Sequence, residues 1–342
     1  MRQYKGLDPW SVTIDDFPPS DNATAQLRAA ICWAVLAPSG HNTQPWLFRV
    51  ADDVAEVRAD RTKALPVVDP DDREMMMSCA AAVTNVELAM ARFGRPVEVE
   101  WFPDPSDADL VAAVRAAGDA APPPSDTAMF DAITVRQTNR SPFRPEAVPV
   151  EALEVLSAIA AARGVSLTVA VDEQKGPIAD LIAEGDRVQM ADKSFRRELA
   201  AWVHQNRTHH LDGIRGYAFN YGDLASHVGP HLIRSFDMGK SQAARDRQLA
   251  TESPALLVIG TPGDTAMDWV NSGQALQRIL LRMTADGMAA SFLNQPIEVP
   301  TLREQLALLL NDGSVPQLLL RAGYPTARQP HTPRIKASER LL

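Results

Sequence analysis

Two short stretches hold residue types from which a ligand site can be built. In RQTNRSPF, residues 136–143, Arg136 and Arg140 bracket Thr138 and Asn139, giving two guanidinium forks, a hydroxyl and an amide within five residues. That set suits a phosphate. Guanidinium groups donate paired hydrogen bonds to its oxygens, the hydroxyl adds another, and each charge-assisted bond contributes roughly 1.5–3 kcal/mol. Taken alone, the pattern is better read as a basic, solvated turn. The second stretch is APSGHNTQPW, residues 37–46, which mixes turn formers, small polar residues, His41 and Trp46 and suits neither a helix nor an exposed loop.

The elements around these stretches follow from hydrophobic spacing. Leu27, Ala30, Ile31, Ala34 and Val35 recur at the i, i+3, i+4, i+7, i+8 interval of an amphipathic helix, with Ser20, Asp21 and Asn22 as candidate N-caps and Pro38 as its end. LFRVADDVAEVRAD predicts two strands joined at Ala51, Asp52 and Asp53. The second stretch therefore sits between a helix and a strand, where backbone N–H groups are free to meet a ligand. Residues 74–94 form a very apolar helix ending at Gly94, and RPVEVEWF follows as a strand. GDAAPPPSD, residues 118–126, has three consecutive prolines and predicts an extended linker.

Beyond the linker, VPVEALEVLSAIAAARG predicts a helix, VSLTVAV a strand, ALLVIGT (255–261) a buried strand, DWVNSGQALQRILLRMTADG a long helix and MAASFL a strand. Residues 205–240 lose periodicity in favour of glycine, histidine and aromatics, as a lid or binding loop does. Laid without a gap, residues 79–94 and 272–287 pair Ala82 with Ala275, Val86 with Ile279, Leu88 with Leu281, Met90 with Met283 and Gly94 with Gly287. An internal duplication would produce this pairing, and so would any two helices that each bury one face.

Bulk properties narrow the function classes. At 342 residues the chain exceeds the roughly 250–300 at which a single core stops growing, so two lobes are expected. A net charge of −9 disfavours non-specific attraction to nucleic acid or anionic membranes, leaving small molecules as the expected partners. Cys32 and Cys79 lack a CxxC spacing and are expected to be buried free thiols of a reducing compartment. MRQYKGLDPW has no apolar core that could serve as a signal peptide, and no uncharged run reaches a membrane-spanning length, so a cytoplasmic location is expected.

Together APSGHNTQPW, R-x-T-N-R-x-x-F, DWVNSGQAL and the closing LLRAGYP…TPR resemble the nitroreductase family of flavoproteins, in particular its Acg-like branch, from about residue 24 to 335. The resemblance implies an α+β fold of two fused nitroreductase-like halves, each a mostly antiparallel sheet flanked by long helices, forming an intrachain pseudo-dimer. The implied division is an N-terminal extension (1–23), a first half (24–117), a Pro-rich linker (118–128) and a second half (129–342) with a lid-like insertion at about 205–240. It also implies an FMN whose phosphate and ribityl chain meet Arg136, Gln137, Thr138 and Arg140, with Arg334 completing the phosphate site. Pro38, Ser39, Gly40 and Asn42 would lie beside the flavin ring, with Gln44 and Trp46 shaping the wall behind.

One departure matters. SVTIDDFPPSDN, residues 11–22, has no basic residue where the first half should carry its own phosphate grip, so one FMN per chain is expected. The implied activity passes a hydride from NADH or NADPH to flavin and on to a small-molecule acceptor of nitroaromatic or quinone type. The alternative is an FMN storage or sequestration protein whose 205–240 segment occludes the flavin. No catalytic acid or base is expected, because the flavin carries the chemistry.

Other features have plainer readings. His204, His209 and His210, and the i, i+4 pair His227 and His231, lack an evident carboxylate or cysteine framework, so no metal site is expected. Met75, Met76 and Met77 are expected as core filler, and GTPGD (260–264) as a strand-to-helix turn. His41 could face the flavin or hydrogen-bond the linker, and the second is favoured.

Overall fold

A computed structural model describes residues 8–19, 22–219 and 223–342. The first part of the chain runs α1 (Ala23–Ala34), β1 (Trp46–Ala51), β2 (Val54–Ala59), α2 (Arg73–Arg92), β3 (Val97–Trp101), β4 (Leu110–Ala116) and α3 (Pro124–Ala132). Next come α4 (Val150–Ala161), β5 (Ser166–Val169), α5 (Asp172–Ala191), α6 (Lys193–Trp202), β6 (Val203–His204), β7 (Ile214–Arg215), α7 (Asp223–Ser235) and α8 (Gly239–Thr251). The remainder is β8 (Ala255–Thr261), α9 (Ala266–Ala285), β9 (Ala289–Phe292), α10 (Gln295–Glu298), α11 (Pro300–Leu310) and β10 (Val315–Gly323). Among the described residues no helix is long and apolar enough to cross a membrane.

The fold is α+β, with two four-stranded antiparallel sheets in the orders β1-β2-β4-β3 and β5-β8-β10-β9. Both orders are the same when strands are counted within each sheet: the second strand leads into a long helix, α2 or α9, the third strand follows it, and the fourth closes between them. Each helix ends at a glycine in the left-handed region, Gly94 at φ 78° and Gly287 at φ 75°, where an L side chain would be strained. The hairpin turn is made as expected, Asp52 and Asp53 both taking positive φ, as a two-residue type I′ connection demands.

One apolar cluster packs α1, α2 and α3 on the first sheet around Trp33, Trp46 and Phe48. Another packs α4 and α9 on the second around Leu156, Leu257, Ile279 and Leu320. They meet where α2 lies on α9. There Gly273 approaches the Met77 backbone so closely that a Cβ would stand 2.7 Å from the Met77 Cα. Gln277 Nε2 donates to Asn85 Oδ1 at 2.6 Å, and Asn85 Nδ2 donates to the Trp33 carbonyl at 2.9 Å. The C-terminal tail crosses back to the first sheet, Leu341 bridging Phe48 in parallel, while Thr138 bridges Ala290 at the edge of the second.

Local signals behave as chemistry dictates. Asn22 caps α1 through Oδ1, which accepts from the Ala25 N–H at 2.9 Å; Ser20 and Asp21, the other candidates, lie outside the described residues. Asn22→Ala should lower stability by about 1 kcal/mol in urea denaturation, with one N-terminal amide losing its acceptor. Met75, Met76 and Met77 are buried, and so are the free thiols of Cys32 and Cys79, which burial pushes up to about 12. GTPGD turns from β8 into α9, whose N-cap Thr265 forms a capping box with Asp268.

Two readings are corrected. The expected linker is shorter, because α3 starts at Pro124 after the N-cap Pro123; proline is tolerated in the first helical turn, where its missing N–H has no partner to lose. Residues 205–240, expected as a lid or binding loop, carry regular elements among the described residues. They contain β7, a short 3-10 turn and α7, whose periodicity is interrupted by Gly229 and Pro230 within the helix.

Candidate ligand-binding site

A cavity of about 370 Å³ opens where α2, α5, α8, β9 and the loop after α3 meet the C-terminal tail. All nine residues singled out from the sequence line it: Pro38, Ser39, Gly40, Asn42, Arg136, Gln137, Thr138, Arg140 and Arg334. Its size is that of a site enclosing one cofactor-sized molecule.

The segment from Pro38 to Gln44 is held in an unusual shape. His41, Asn42 and Gln44 have φ of 49°, 57° and 55°, a conformation that non-glycine residues seldom adopt and that surrounding bonds must impose. Those bonds are present. The Gln44 N–H donates to Ser39 Oγ at 2.9 Å, and Gln44 Nε2 donates to the Leu211 carbonyl at 2.8 Å. Gln44 Oε1 accepts from the Ile335 N–H at 2.8 Å. Asn42 Nδ2 donates to the carbonyls of Gly213 and Pro333, and the Gly213 N–H donates back to the Asn42 carbonyl. Two distant parts of the chain, around Leu211–Gly213 and around Pro333–Ile335, are thus fastened to one turn. Gln44 and Trp46 are fully buried behind it.

The RQTNR loop leaves α3 and docks on the second sheet, its Asn139 N–H donating to the Ala290 carbonyl at 3.0 Å. Arg321 of β10 clamps it by donating to the carbonyls of Asn139 and Ser141 at 2.9 and 3.1 Å. Asn139 therefore serves the loop, and its Nδ2 donates to the Ser141 carbonyl. Arg136 is 4% exposed, donates one bond to the Leu36 carbonyl at 3.3 Å and keeps its Nε without an acceptor. Gln137 Oε1 is buried and equally unmatched.

Arg334, also 4% exposed, donates through Nη1 to Asn42 Oδ1 at 2.6 Å and Thr332 Oγ1 at 2.7 Å, and through Nη2 to the Ala37 carbonyl at 3.1 Å. Its Nε remains free of any acceptor. It both braces the Pro38–Gln44 turn and adds charge to the cavity.

Among the described residues none of Arg136, Arg140 and Arg334 has a carboxylate within ion-pair distance. Burial depresses all three guanidinium pKa values, Arg136 to about 10 and Arg334 to about 9, the latter pressed further by Arg136. Buried cations without counter-charge are strongly destabilising unless an anion offsets them. Arg136 and Arg334 are two such cations, each with an unmatched Nε, and with the half-buried Arg140 on the same cavity they present donors that could bind an anion such as a phosphate monoester.

His41 lines the cavity and makes no side-chain hydrogen bond to another described residue, which corrects the expectation that it binds the linker. Burial, then the nearby Arg140, hold its imidazole down to about 4, so it is neutral at pH 7.

Motif reading missed a second group on the same cavity: Glu74 of α2, Asp186 of α5, Asp246 of α8 and Glu298 of α10. Gln295 Nε2 donates to Asp186 Oδ1 at 3.2 Å and to Asp246 Oδ2 at 2.9 Å, and Gln189 Nε2 donates to Glu298 Oε2 at 2.5 Å. Burial raises all four, Asp186 to about 8 with Asp246 adding to the effect. No local motif marks them, since acids spaced along a helix normally face water.

Asp186 keeps its proton in the fold at pH values where the unfolded chain has lost it. The stability this contributes is full below its ordinary value of 3.8 and is lost as pH rises through about 8. Asp186→Asn, which cannot ionise, should therefore be more stable than the native chain by over about 1 kcal/mol at pH 8. Urea midpoints should converge as the pH approaches 4.

No family model matches the chain. A Mycobacterium tuberculosis protein with the provisional name NAD(P)H nitroreductase is 30% identical over 319 residues, 92% of this chain and 90% of that protein. The Acg protein of the same organism, named likewise, is 26% identical over 325 residues, 93% of this chain and 95% of its own. Among solved structures, the FMN-dependent nitroreductase NfnB from Mycobacterium smegmatis in complex with NADPH is 16% identical, with a TM-score of 0.38, covering 62% of this chain and 96% of that one.

Proposed function

The chain belongs to the NAD(P)H nitroreductase family, and from that premise we propose that it is an FMN-dependent oxidoreductase that takes reducing equivalents from NADH or NADPH. The observation that carries the reading is the set of three arginines, the buried Arg136 and Arg334 and the half-buried Arg140, unpaired by carboxylates among the described residues and facing one cavity. The FMN phosphate is the counter-ion they lack. Gln137, whose Oε1 is buried without a donor, and Thr138 line the same path, and Pro38, Ser39, Gly40 and Asn42 supply the wall beside the ring.

When bound, FMN supplies hydride acceptance from a nicotinamide and electron delivery to a small-molecule acceptor, of nitroaromatic or quinone type. The chain's own residues orient and exclude. Arg334 fixes the turn beside the ring through Asn42, Arg321 fixes the phosphate loop, and neutral His41 adds no charge to the cavity. Asp186, which burial keeps protonated to about pH 8, lies on the cavity wall and adds no charge there below that pH.

Residues 24–117 and 129–342 form two related halves, a reading supported by their common strand order and by the two 20-residue helices that follow each second strand. The chain is then a pseudo-dimer with one FMN, since the phosphate grip belongs to the second half alone.

A storage role is the second reading. It is favoured by Ile214, Tyr217, Ile233 and Met238 of the 205–240 segment, which wall the cavity, with Tyr217 donating to the His331 carbonyl at 3.2 Å.

Purified protein, or protein incubated with FMN, should turn yellow and hold one FMN per chain by absorbance after gel filtration. A colourless protein that stays so in excess FMN would refute both readings.

A further inference from the structure

Outside the cavity, the base of the 205–240 segment brings together His204 at the end of β6, His210 and Asp212 in the connection to β7. Their ligand atoms lie within 4.8 Å of one another. We propose that these three side chains form a binding site for a divalent transition-metal ion of the zinc class, and that the ion latches this segment onto the turn beside the cavity. Two imidazoles and one carboxylate, with water in the fourth position, are a donor set that zinc accepts. The expectation of no metal site rested on the lack of a carboxylate near the histidines, and Asp212 supplies it.

The geometry is convergent. Asp212 Oδ1 lies 3.7 Å from His204 Nε2 and 3.9 Å from His210 Nδ1. Closure of these two separations by a few tenths of an ångström gives those of donors sharing an ion at bonds of about 2.0–2.2 Å, and the two imidazole nitrogens, within 4.8 Å of each other, must close as well. The rings stack with centroids 4.6 Å apart and planes 14° from parallel, so shared ligation requires one ring to turn, a movement open to the exposed His210.

His204 Nε2 is buried without a hydrogen-bond partner. The other carboxylate oxygen, Oδ2, accepts from Lys63 Nζ at 2.7 Å. Lys63 thus orients Asp212 without occupying the oxygen that faces the histidines, as outer groups commonly do around a metal.

The surroundings are arranged for this. Arg215 donates to the carbonyls of Thr208 and His210 at 2.8 and 2.5 Å, fixing the bend that carries His210. Gly213 has φ +73°, and a Cβ there would stand 2.5 Å from the His204 ring, so only glycine permits the approach. Leu211 and Gly213, which flank Asp212, are the residues bonded to Gln44 and Asn42. An ion here would stiffen the attachment of the segment that walls the cavity. The site stands independently of what fills that cavity.

Full-length protein, stripped with a chelator and dialysed against zinc chloride, should bind one zinc per chain, and cobalt(II) should give visible d–d absorption. His210, with 66% of its side chain exposed, can be changed without disturbing the fold. His210→Ala should weaken zinc binding at least tenfold and abolish the zinc-induced rise in Tm, and Asp212→Asn should act likewise. His209→Ala, at an exposed neighbour outside the cluster, should change neither. Absence of stoichiometric zinc binding would overturn the proposal, and so would binding that persists unchanged in both His204→Ala and His210→Ala.

Discussion

Arg136→Ala should weaken FMN binding at least 100-fold, a loss of about 2.8 kcal/mol, while leaving the flavin-free protein as stable as before or more so. Both outcomes follow from one circumstance. Arg136 is buried, its single hydrogen bond goes to the Leu36 carbonyl, and no described carboxylate compensates its charge. Without ligand it is a liability; with a phosphate it makes charge-assisted bonds worth roughly 1.5–3 kcal/mol each. Arg58→Ala is the matched control, because Arg58 spends its charge on Asp107 at 2.6 Å at the sheet surface. Titration of flavin fluorescence against each variant gives the affinities, and urea denaturation of the apo-proteins gives the second half of the prediction. Equal retention of FMN by the two variants would remove the phosphate assignment.

Gly273→Val should lower Tm by about 5 °C or more, with both sheets affected together. Gly273 lies on α9 where it crosses α2, and a Cβ would meet backbone atoms of Met77 rather than a flexible side-chain end. Overpacking of this kind costs about 1–3 kcal/mol, and more where backbone blocks relaxation. The two helices contribute to both apolar clusters, so forcing them apart loosens both and disturbs the nearby Gln277–Asn85 bond. Calorimetry reads the shift. A variant with unchanged Tm would mean that the α2–α9 contact tolerates wider spacing than its packing implies.

Much of the positioning framework is legible in the sequence because it rests on local rules. The helices α1, α2, α4 and α9 announce themselves by apolar periodicity, the β1–β2 hairpin by its paired aspartates, and β8 by an unbroken apolar run that the fold buries on every residue. The nine cavity residues were legible only through the joint resemblance of several stretches, because RQTNR alone reads as a solvated turn and Arg334 stands in no site pattern of its own. What stayed hidden depends on tertiary burial. Asp186 and Asp246 look like solvent-facing acids until α5 and α8 pack together with Gln295 between them. Asp212 is eight residues from His204 and becomes its neighbour only because β6 and β7 pair in parallel. Helix α7 escaped notice because Gly229 and Pro230 break the spacing that marks a helix, although the chain accommodates both.

The readings of enzyme and store diverge at a single step, the entry of a nicotinamide to bound flavin. The direct measurement is anaerobic mixing of the FMN-loaded protein with NADH and, separately, with NADPH, following the flavin absorbance. At least one should bleach it within the time of mixing or minutes thereafter, and a nitroaromatic or quinone should restore the colour. Flavin that dithionite reduces but neither nicotinamide touches would contradict the oxidoreductase reading.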